Sequence, residues 1–232
     1  MKLLAVDTSG PVCGTAVLDG ERVLSEMISQ NKNTHSVSLM PMVEQSLHSA
    51  GMALADLDAL AVVTGPGSFT GVRIGAATVK GLAHGSGKPC IAVDALEALA
   101  ESTGMGDRNG LICPMQDARA GQVYCALFRG RERLTADAPM KLEDCLSLVR
   151  NTADEPCLFT GDGMAAHREE IREALGERAV FAEAPFCFLR PSAAGMLAIR
   201  KGVPVDYLAL KEFYLRPPNA EKEPEAAGGH AP

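Results

Sequence analysis

The chain has no cluster of lysine and arginine with interleaved aromatics, and its 29 acidic residues outnumber its 22 basic ones for a formal net charge of −7. Independent tight binding to nucleic acid is disfavoured, because neutralising phosphates dominates such affinity. No apolar run approaches the length of a membrane span. The opening Met1-Lys2-Leu3-Leu4-Ala5-Val6-Asp7 reaches an acid after four apolar residues, too few for a signal-peptide core, so a cytoplasmic location is the expectation. The cysteines (Cys13, Cys90, Cys113, Cys125, Cys145, Cys157 and Cys187) are odd in number and never spaced CxxC, which argues against a disulfide framework and a zinc knuckle. Most lie in apolar runs, where they read as small core hydrophobes. The GxSxG elbow is missing, and His35, His48, His84, His167 and His230 stand singly, so no local nucleophile and base pair forms. What remains is an ordinary soluble composition, 47% hydrophobic and 22% charged, long enough for one large domain or two small lobes.

Two lobes fit the pattern better. Strand-like runs at Leu3 to Asp7, Val12 to Leu18 and Arg22 to Ser29 open the chain, with Asp19-Gly20 as the expected hairpin turn between the last two. A helix from about Thr34 to Ala50 follows, then a strand near Leu57 to Thr64, a helix from Phe69 to His84, a strand from Pro89 to Val93 and a helix from Asp94 to Thr103. The turn-rich segment Gly104 to Gly110 reads as a lobe boundary, dividing 1–105 from 106–216. The second lobe has strand runs at Leu111 to Met115, Val123 to Phe128, Cys157 to Thr160 and Ala179 to Phe181. Its helical runs are Leu142 to Val149, Ala165 to Leu175 and Ser192 to Lys201, the last of which could pack back on the first lobe. Residues 217–232, with repeated Pro and Gly and no aliphatic larger than alanine, are expected to be disordered.

Three loops carry phosphate-like chemistry. Gly65-Pro66-Gly67-Ser68-Phe69-Thr70-Gly71-Val72-Arg73-Ile74-Gly75 follows the apolar run Leu60 to Val63, a strand whose end delivers amides to a helix N-terminus, as anion sites do. Asp7-Thr8-Ser9-Gly10 would stand at the tip of the first hairpin, where it either binds a metal-bound phosphate or satisfies its own turn. Gly161-Asp162-Gly163 again lies between a strand and a helix. Two opposed lobes would gather all three around one cleft.

Two helices carry features that suit a partner. On the segment 36–50, Ser36, Leu39, Met40, Met42, Val43, Ser46, Leu47 and Ala50 share an arc of roughly 160°, wider than the ~100° that one core face needs. Part of it should stay uncovered, unless the helix is buried on two sides within the monomer. The helix after Gly65 contains Gly71, Gly75 and Gly81, each costing ~1 kcal/mol relative to alanine. Close approach of another backbone would explain them, with Val72, Ile74 or Val79 exposed to it; tight packing against the chain's own sheet is the competing account.

Further pieces are Leu4 to Ser9, His35 to Leu47, Leu57 to Val62, Lys80 to Ala83, Val93 to Ala100, Asp117 to Tyr124 and Tyr214-Leu215-Arg216. With GPGSFTGVRIG and Gly161-Asp162-Gly163, and in this order along nearly the whole chain, they resemble the bacterial TsaB (YeaZ) family of tRNA threonylcarbamoyladenosine biosynthesis proteins. The resemblance implies a two-lobed α/β fold of the actin, Hsp70 and sugar-kinase (ASKHA) type with an RNase H-like βββαβα sheet in each lobe. It also implies a catalytic relative, TsaD, with an HxxxH metal pair. Ala95 and Leu99 stand where those histidines would be, and neither binds a metal.

By the same resemblance the chain is a non-catalytic subunit that binds and activates TsaD in a complex with TsaE. That complex makes N6-threonylcarbamoyladenosine in tRNAs reading codons that begin with adenine. No metal or cofactor of its own is expected, a nucleotide at the partner interface is left open, tRNA is reached only through the complex, and a homodimer is expected when TsaD is absent. The implied interface comprises Ser36, Leu39, Met40, Met42, Val43, Ser46, Leu47, Gly71, Val72, Ile74, Gly75, Thr78, Val79 and Leu82. The loop residues Asp7, Thr8, Ser9, Gly65, Gly67, Ser68, Gly161, Asp162 and Gly163 are then vestigial phosphate loops. The alternative is a small-molecule kinase of the same fold that uses them around ATP and magnesium.

Overall fold

The computed structural model describes residues 1–31, 34–104 and 109–215. In chain order the first elements are β1 (Lys2–Asp7), β2 (Cys13–Asp19), β3 (Arg22–Ser29), α1 (His35–Ser49), β4 (Ala59–Gly65), α2 (Phe69–Ser86), β5 (Cys90–Asp94) and α3 (Ala95–Ser102). Next come β6 (Leu111–Arg119), β7 (Gln122–Cys125), β8 (Phe128–Arg129), β9 (Glu132–Arg133), β10 (Ala138–Lys141) and α4 (Leu142–Thr152). The chain continues through β11 (Cys157–Thr160), α5 (Asp162–Ala166), α6 (Arg168–Leu175), β12 (Ala179–Phe181), α7 (Pro191–Lys201) and β13 (Pro204–Val205).

The first sheet has the order β13-β5-β4-β1-β2-β3. Strands β1, β4 and β5 run parallel, whereas β1, β2 and β3 form an antiparallel meander. All seven residues of β4 and five of six in β1 are buried, as continuous apolar strands covered on both faces must be. On one face, α1 and α2 cover Leu4, Val6, Val17, Leu60 and Val62. On the other, α3 and α7 cover Leu3, Ala5, Leu18, Ala61 and Val63. Helix α7 starts at Pro191, whose fixed φ suits a first helical position, and Gly195 lets it settle onto Leu18 and Ala5.

The second sheet has the order β10-β7-β6-β11-β12, with β8 beside β6 and β9 beside β8. It repeats the logic of the first: a central strand, β6, pairs antiparallel with β7 and parallel with β11, as β1 does with β2 and β4. Its core joins Leu111, Met115, Val123, Leu127, Val149, Phe159 and Ile171 under α4 and α6.

Several boundaries differ from the expectations. Asp19 pairs with Arg22, so the hairpin turn is Gly20-Glu21 rather than Asp19-Gly20, with Gly20 at φ 56° in the position that favours glycine. The run from Ala165 to Leu175 is two helices, because His167, at φ −120° and ψ 22°, leaves the helical path between α5 and α6. The run from Val123 to Phe128 divides into β7 and β8, and the short β9, β10 and β13 were not anticipated. Both β10 and β13 contain a proline, which weakens a strand's signature and confines it to an edge. The proposed boundary at 105/106 and the tail 217–232 lie outside the described residues.

The β6–β7 hairpin has an unusual tip. Arg119 pairs with Gln122, leaving Ala120-Gly121 as the two-residue turn, and Arg119 and Ala120 sit at φ 64° and 52°. Alanine at a position that favours Gly or Asn costs about 1 kcal/mol. Ala120→Gly is therefore expected to raise the unfolding free energy by up to ~1 kcal/mol in urea denaturation, relief of the left-handed strain outweighing the added unfolded-state entropy; a loss of stability would overturn that ranking.

Candidate functional site

The C-terminal end of β1 delivers Asp7, Thr8 and Ser9 to the centre of the molecule, where all three are buried. Asp7 Oδ1 accepts hydrogen bonds from the Ser9 N–H at 2.8 Å and the Ser9 hydroxyl at 2.7 Å, an Asx turn. Asp7 Oδ2 has no partner although it is buried. Burial pushes the carboxyl up to about 6; the two Ser9 bonds and nearby His35 oppose the rise, and Asp162 adds to it.

The glycine-rich loop meets this turn from above. The Ser68 N–H donates to the Ser9 carbonyl at 2.7 Å, and the Thr8 hydroxyl donates to the Gly71 carbonyl at 2.7 Å. A Cβ at Gly67 would strike the Ser9 carbonyl, one at Gly71 the Thr8 carbonyl, and one at Gly75 the Thr8 hydroxyl. The Ser68 hydroxyl caps α2 by accepting from the Gly71 N–H at 3.2 Å. On the far side a C-terminal strap docks: the Phe213 N–H donates to the Thr64 carbonyl at 2.8 Å, and the Phe213 carbonyl fills the space beside Gly65. The expected anion cradle is thus packed by the chain's own backbone.

The second lobe contributes the matching loop. Gly161 lies against the Met115 carbonyl and Leu99, Gly163 against the backbone of Gln116, and Asp162 Oδ1 accepts from the Asp117 N–H at 3.3 Å. Burial also raises the Asp162 carboxyl, opposed by the backbone N–H of Asp117. Asp7, Gly10, Leu99, Gln116, Gly161 and Asp162 line one cavity of about 90 Å³. The structure thus brings the Asp7 and Gly161 loops together around a small cleft, with the Gly65 loop packed behind the first of them. Gln116, whose Oε1 is buried without a partner, is a cleft residue that sequence reading passed over, because nothing local marks it.

The helical surface needs correction. On α1, Leu39, Val43 and Ser46 are buried, the last with its hydroxyl 2.6 Å from that of Thr15. Met42 and Leu47 are half-buried, and Ser36 and Met40 are exposed. On α2, Gly71, Val72, Gly75 and Val79 are buried against the sheet and the first turn, contrary to the expected exposure of Val72 and Val79; Ile74, Thr78 and Leu82 are half-buried. Those positions follow the core-facing period of each helix, which is why the pattern selected them. The outer surface instead presents Val37, at 66% exposure, with Met40 and Pro41 from α1, and Arg73, Ala77, Gly81, His84 and Gly85 from α2. No atom lies within 4 Å of where a Cβ would stand at Gly81 or Gly85. Close approach at Gly71 and Gly75 is therefore to the chain's own β1 turn, and only the later glycines face open space.

A family model described as "TsaD: tRNA N6-adenosine threonylcarbamoyltransferase" matches residues 22–200. The tRNA threonylcarbamoyladenosine biosynthesis protein TsaB of Bacillus subtilis (strain 168) is 38% identical over 222 residues, covering 91% of this chain and 96% of that protein. The chain belongs to the TsaB family. The TsaB protein of Escherichia coli (strain K12) is 37% identical over 134 residues, 57% of each chain. The solved structure of YeaZ from Pseudomonas aeruginosa superposes with a TM-score of 0.74 at 27% identity, covering 92% of this chain and 99% of that one. The ethanolamine utilization protein EutJ from Carboxydothermus hydrogenoformans, at 12% identity and a TM-score of 0.55 over 84% of this chain and 90% of its own, shares the actin-like fold alone.

Within this TsaB-family chain the residues do not fit a metal pair on α3. Ala95 and Leu99 are buried in the apolar core, and the neighbouring Asp94 is engaged by the Glu97 N–H at 2.7 Å and by Arg133 at 2.8 Å. The cleft carboxylate Asp7 yields a pH test. Its pKa in the fold lies above the unfolded value of 3.8, so its contribution is fully present below about pH 4 and is lost as pH rises through 6. The loss amounts to about 3 kcal/mol at most. Asp7→Asn keeps the bonds to Ser9 and is expected to be more stable than wild type at pH 8 but not at pH 4, by thermal denaturation. Lower stability of the variant at pH 8 would show that the ionised carboxylate has a partner.

Proposed function

We propose that this chain is a non-catalytic subunit of the machinery that installs N6-threonylcarbamoyladenosine in tRNA, and that it binds and activates a TsaD-type transferase through the outer faces of α1 and α2. The supporting observations are the solvent-open stripe Ala77, Gly81 and Gly85 on α2 and the exposed Val37, Met40 and Pro41 on α1, the helix that packs against it. Interior glycines weaken a helix by ~1 kcal/mol each relative to alanine, and here no internal contact compensates. A partner helix at short interaxial distance would use that smoothness. Without the transferase, the same face would serve a homodimer. TsaE joins through the transferase complex, tRNA is reached indirectly, and a nucleotide, where one takes part, lies at the partner interface.

The competing phosphotransferase reading needs ATP between the lobes. Small-molecule sites occupy roughly 300–1,000 Å³; the cavity at Asp7 and Asp162 is about 90 Å³, and the cavity of about 340 Å³ between Gly65, Asp94, Arg133 and Asp137 includes neither of those carboxylates. Isothermal titration of the isolated chain with MgATP is expected to show no binding, and micromolar affinity with turnover would reverse the assignment.

Since Leu39 and Gly75 are buried, charges there would unfold the protein and test nothing about docking. Met40→Glu and Gly81→Arg sit on the open face. Met40→Glu is expected to keep the wild-type circular dichroism and melting temperature and Gly81→Arg to melt no lower than wild type, while each weakens transferase binding at least tenfold by calorimetry. Gly81→Ala should raise isolated-chain stability by about 1 kcal/mol. Normal transferase affinity in both charged variants would rule out this surface.

A further inference from the structure

Three cysteines from separate elements meet inside the second lobe: Cys113 from β6, Cys125 from the end of β7 and Cys145 from the start of α4. The Cys125 and Cys145 sulfurs are 3.2 Å apart, Cys113 Sγ is 3.8 Å from Cys145 Sγ, and all three lie within 4.8 Å of one another. Even carbon atoms in apolar contact sit about 3.5–4.0 Å apart. Two large sulfurs at 3.2 Å are therefore not merely filling space, and the Cys125 S–H is directed at Cys145.

We propose that Cys113, Cys125 and Cys145 form a three-sulfur site for one thiophilic d10 cation, with Cu(I) the preferred occupant. Soft thiolates select such ions. Structural Zn(II) takes four ligands, and among the described residues no histidine, carboxylate or fourth thiol joins the cluster. Its walls are apolar, including Leu127, Leu146, Val149 and Phe159. A metal–sulfur distance of about 2.3 Å places three sulfurs roughly 4 Å apart in a trigonal plane, so the side chains need only spread slightly. Binding replaces three S–H protons, released to solvent, by three metal–sulfur bonds, with no change in oxidation state. Cys145 lies in the first turns of α4, where the helix dipole favours the negative charge of a thiolate. All three sulfurs are sealed from solvent, so the ion enters as the lobe folds.

The test uses the full chain, unfolded and refolded without oxygen in the presence of Cu(I) presented as its bicinchoninate complex. One copper per chain should survive gel filtration, with an X-ray absorption spectrum described by three sulfur scatterers at about 2.3 Å. Cys145→Ser should retain at least tenfold less copper and Cys187→Ser as much as wild type, folding of each being followed by circular dichroism. Wild-type protein that elutes copper-free, a spectrum that requires nitrogen or oxygen ligands, or undiminished copper in folded Cys145→Ser would overturn the site. Equal retention of Zn(II) would overturn the preference for Cu(I). The wild-type spectrum decides the matter even if Cys145→Ser does not fold.

Discussion

The first lobe is organised by backbone meeting backbone, where the opening turns of α2 rest directly on the turn after β1. Side chains at Gly67, Gly71 or Gly75 would drive the two apart, because each Cβ direction is already occupied by an atom of Thr8 or Ser9. With that contact in place, the Thr8 hydroxyl and the Ser68 N–H find partners, and Asp7 is drawn out of water. The same contact sets the roll of α2 about its axis. Gly71, Gly75 and Val79 face inward, which turns Ala77, Gly81 and Gly85 outward. The buried loop and the solvent-open outer face of α2 are thus two sides of one geometric requirement.

The two lobes are held in register around α3. Its inner side packs Ala95, Ala98 and Leu99 into the core, and its acidic side is met by arginines from elsewhere in the chain. Arg133 of the second lobe reaches Asp94 at 2.8 Å and Glu97 at 3.7 Å, Arg131 reaches Glu101 at 3.5 Å, and Arg200 of α7 reaches Glu101 at 2.7 Å. Partly exposed pairs of this kind contribute about 0–1 kcal/mol each. Their consequence is orientation more than stability: they fix how the second lobe sits over the cleft that Asp7 and Asp162 share.

Much of this architecture was legible in the residues. Apolar runs such as Leu3 to Asp7 and Cys157 to Thr160 coincide with strands, and the helix read from Phe69 to His84 differs only in running on to Ser86, where Gly87 caps it in the left-handed conformation. What escaped was whatever depends on residues far apart in the chain. Periodicity on α1 and α2 reports the face turned to the core, so Leu39, Val43, Val72 and Val79 stand out in it while Val37 and Gly85 do not. A glycine reads the same whether its own sheet or empty space lies beside it, and only the fold separates Gly75 from Gly81. Gln116 beside Asp7, and three thiols spaced tens of residues apart, had no local signature at all.

Helix α7 and the strap through Phe213 are made late in the sequence yet complete the lobe made first. The face of the first sheet that carries Leu3, Ala5 and Leu18 waits for Ala194, Leu197 and Ala198 to cover it, and Gly65 waits for Phe213. During synthesis, which runs from the N-terminus at about 5–20 residues per second, that face is therefore covered by α3 alone until α7 has been made, after the whole second sheet. The first lobe is therefore completed only after the second has been made, because α7 and Phe213 follow it in the sequence.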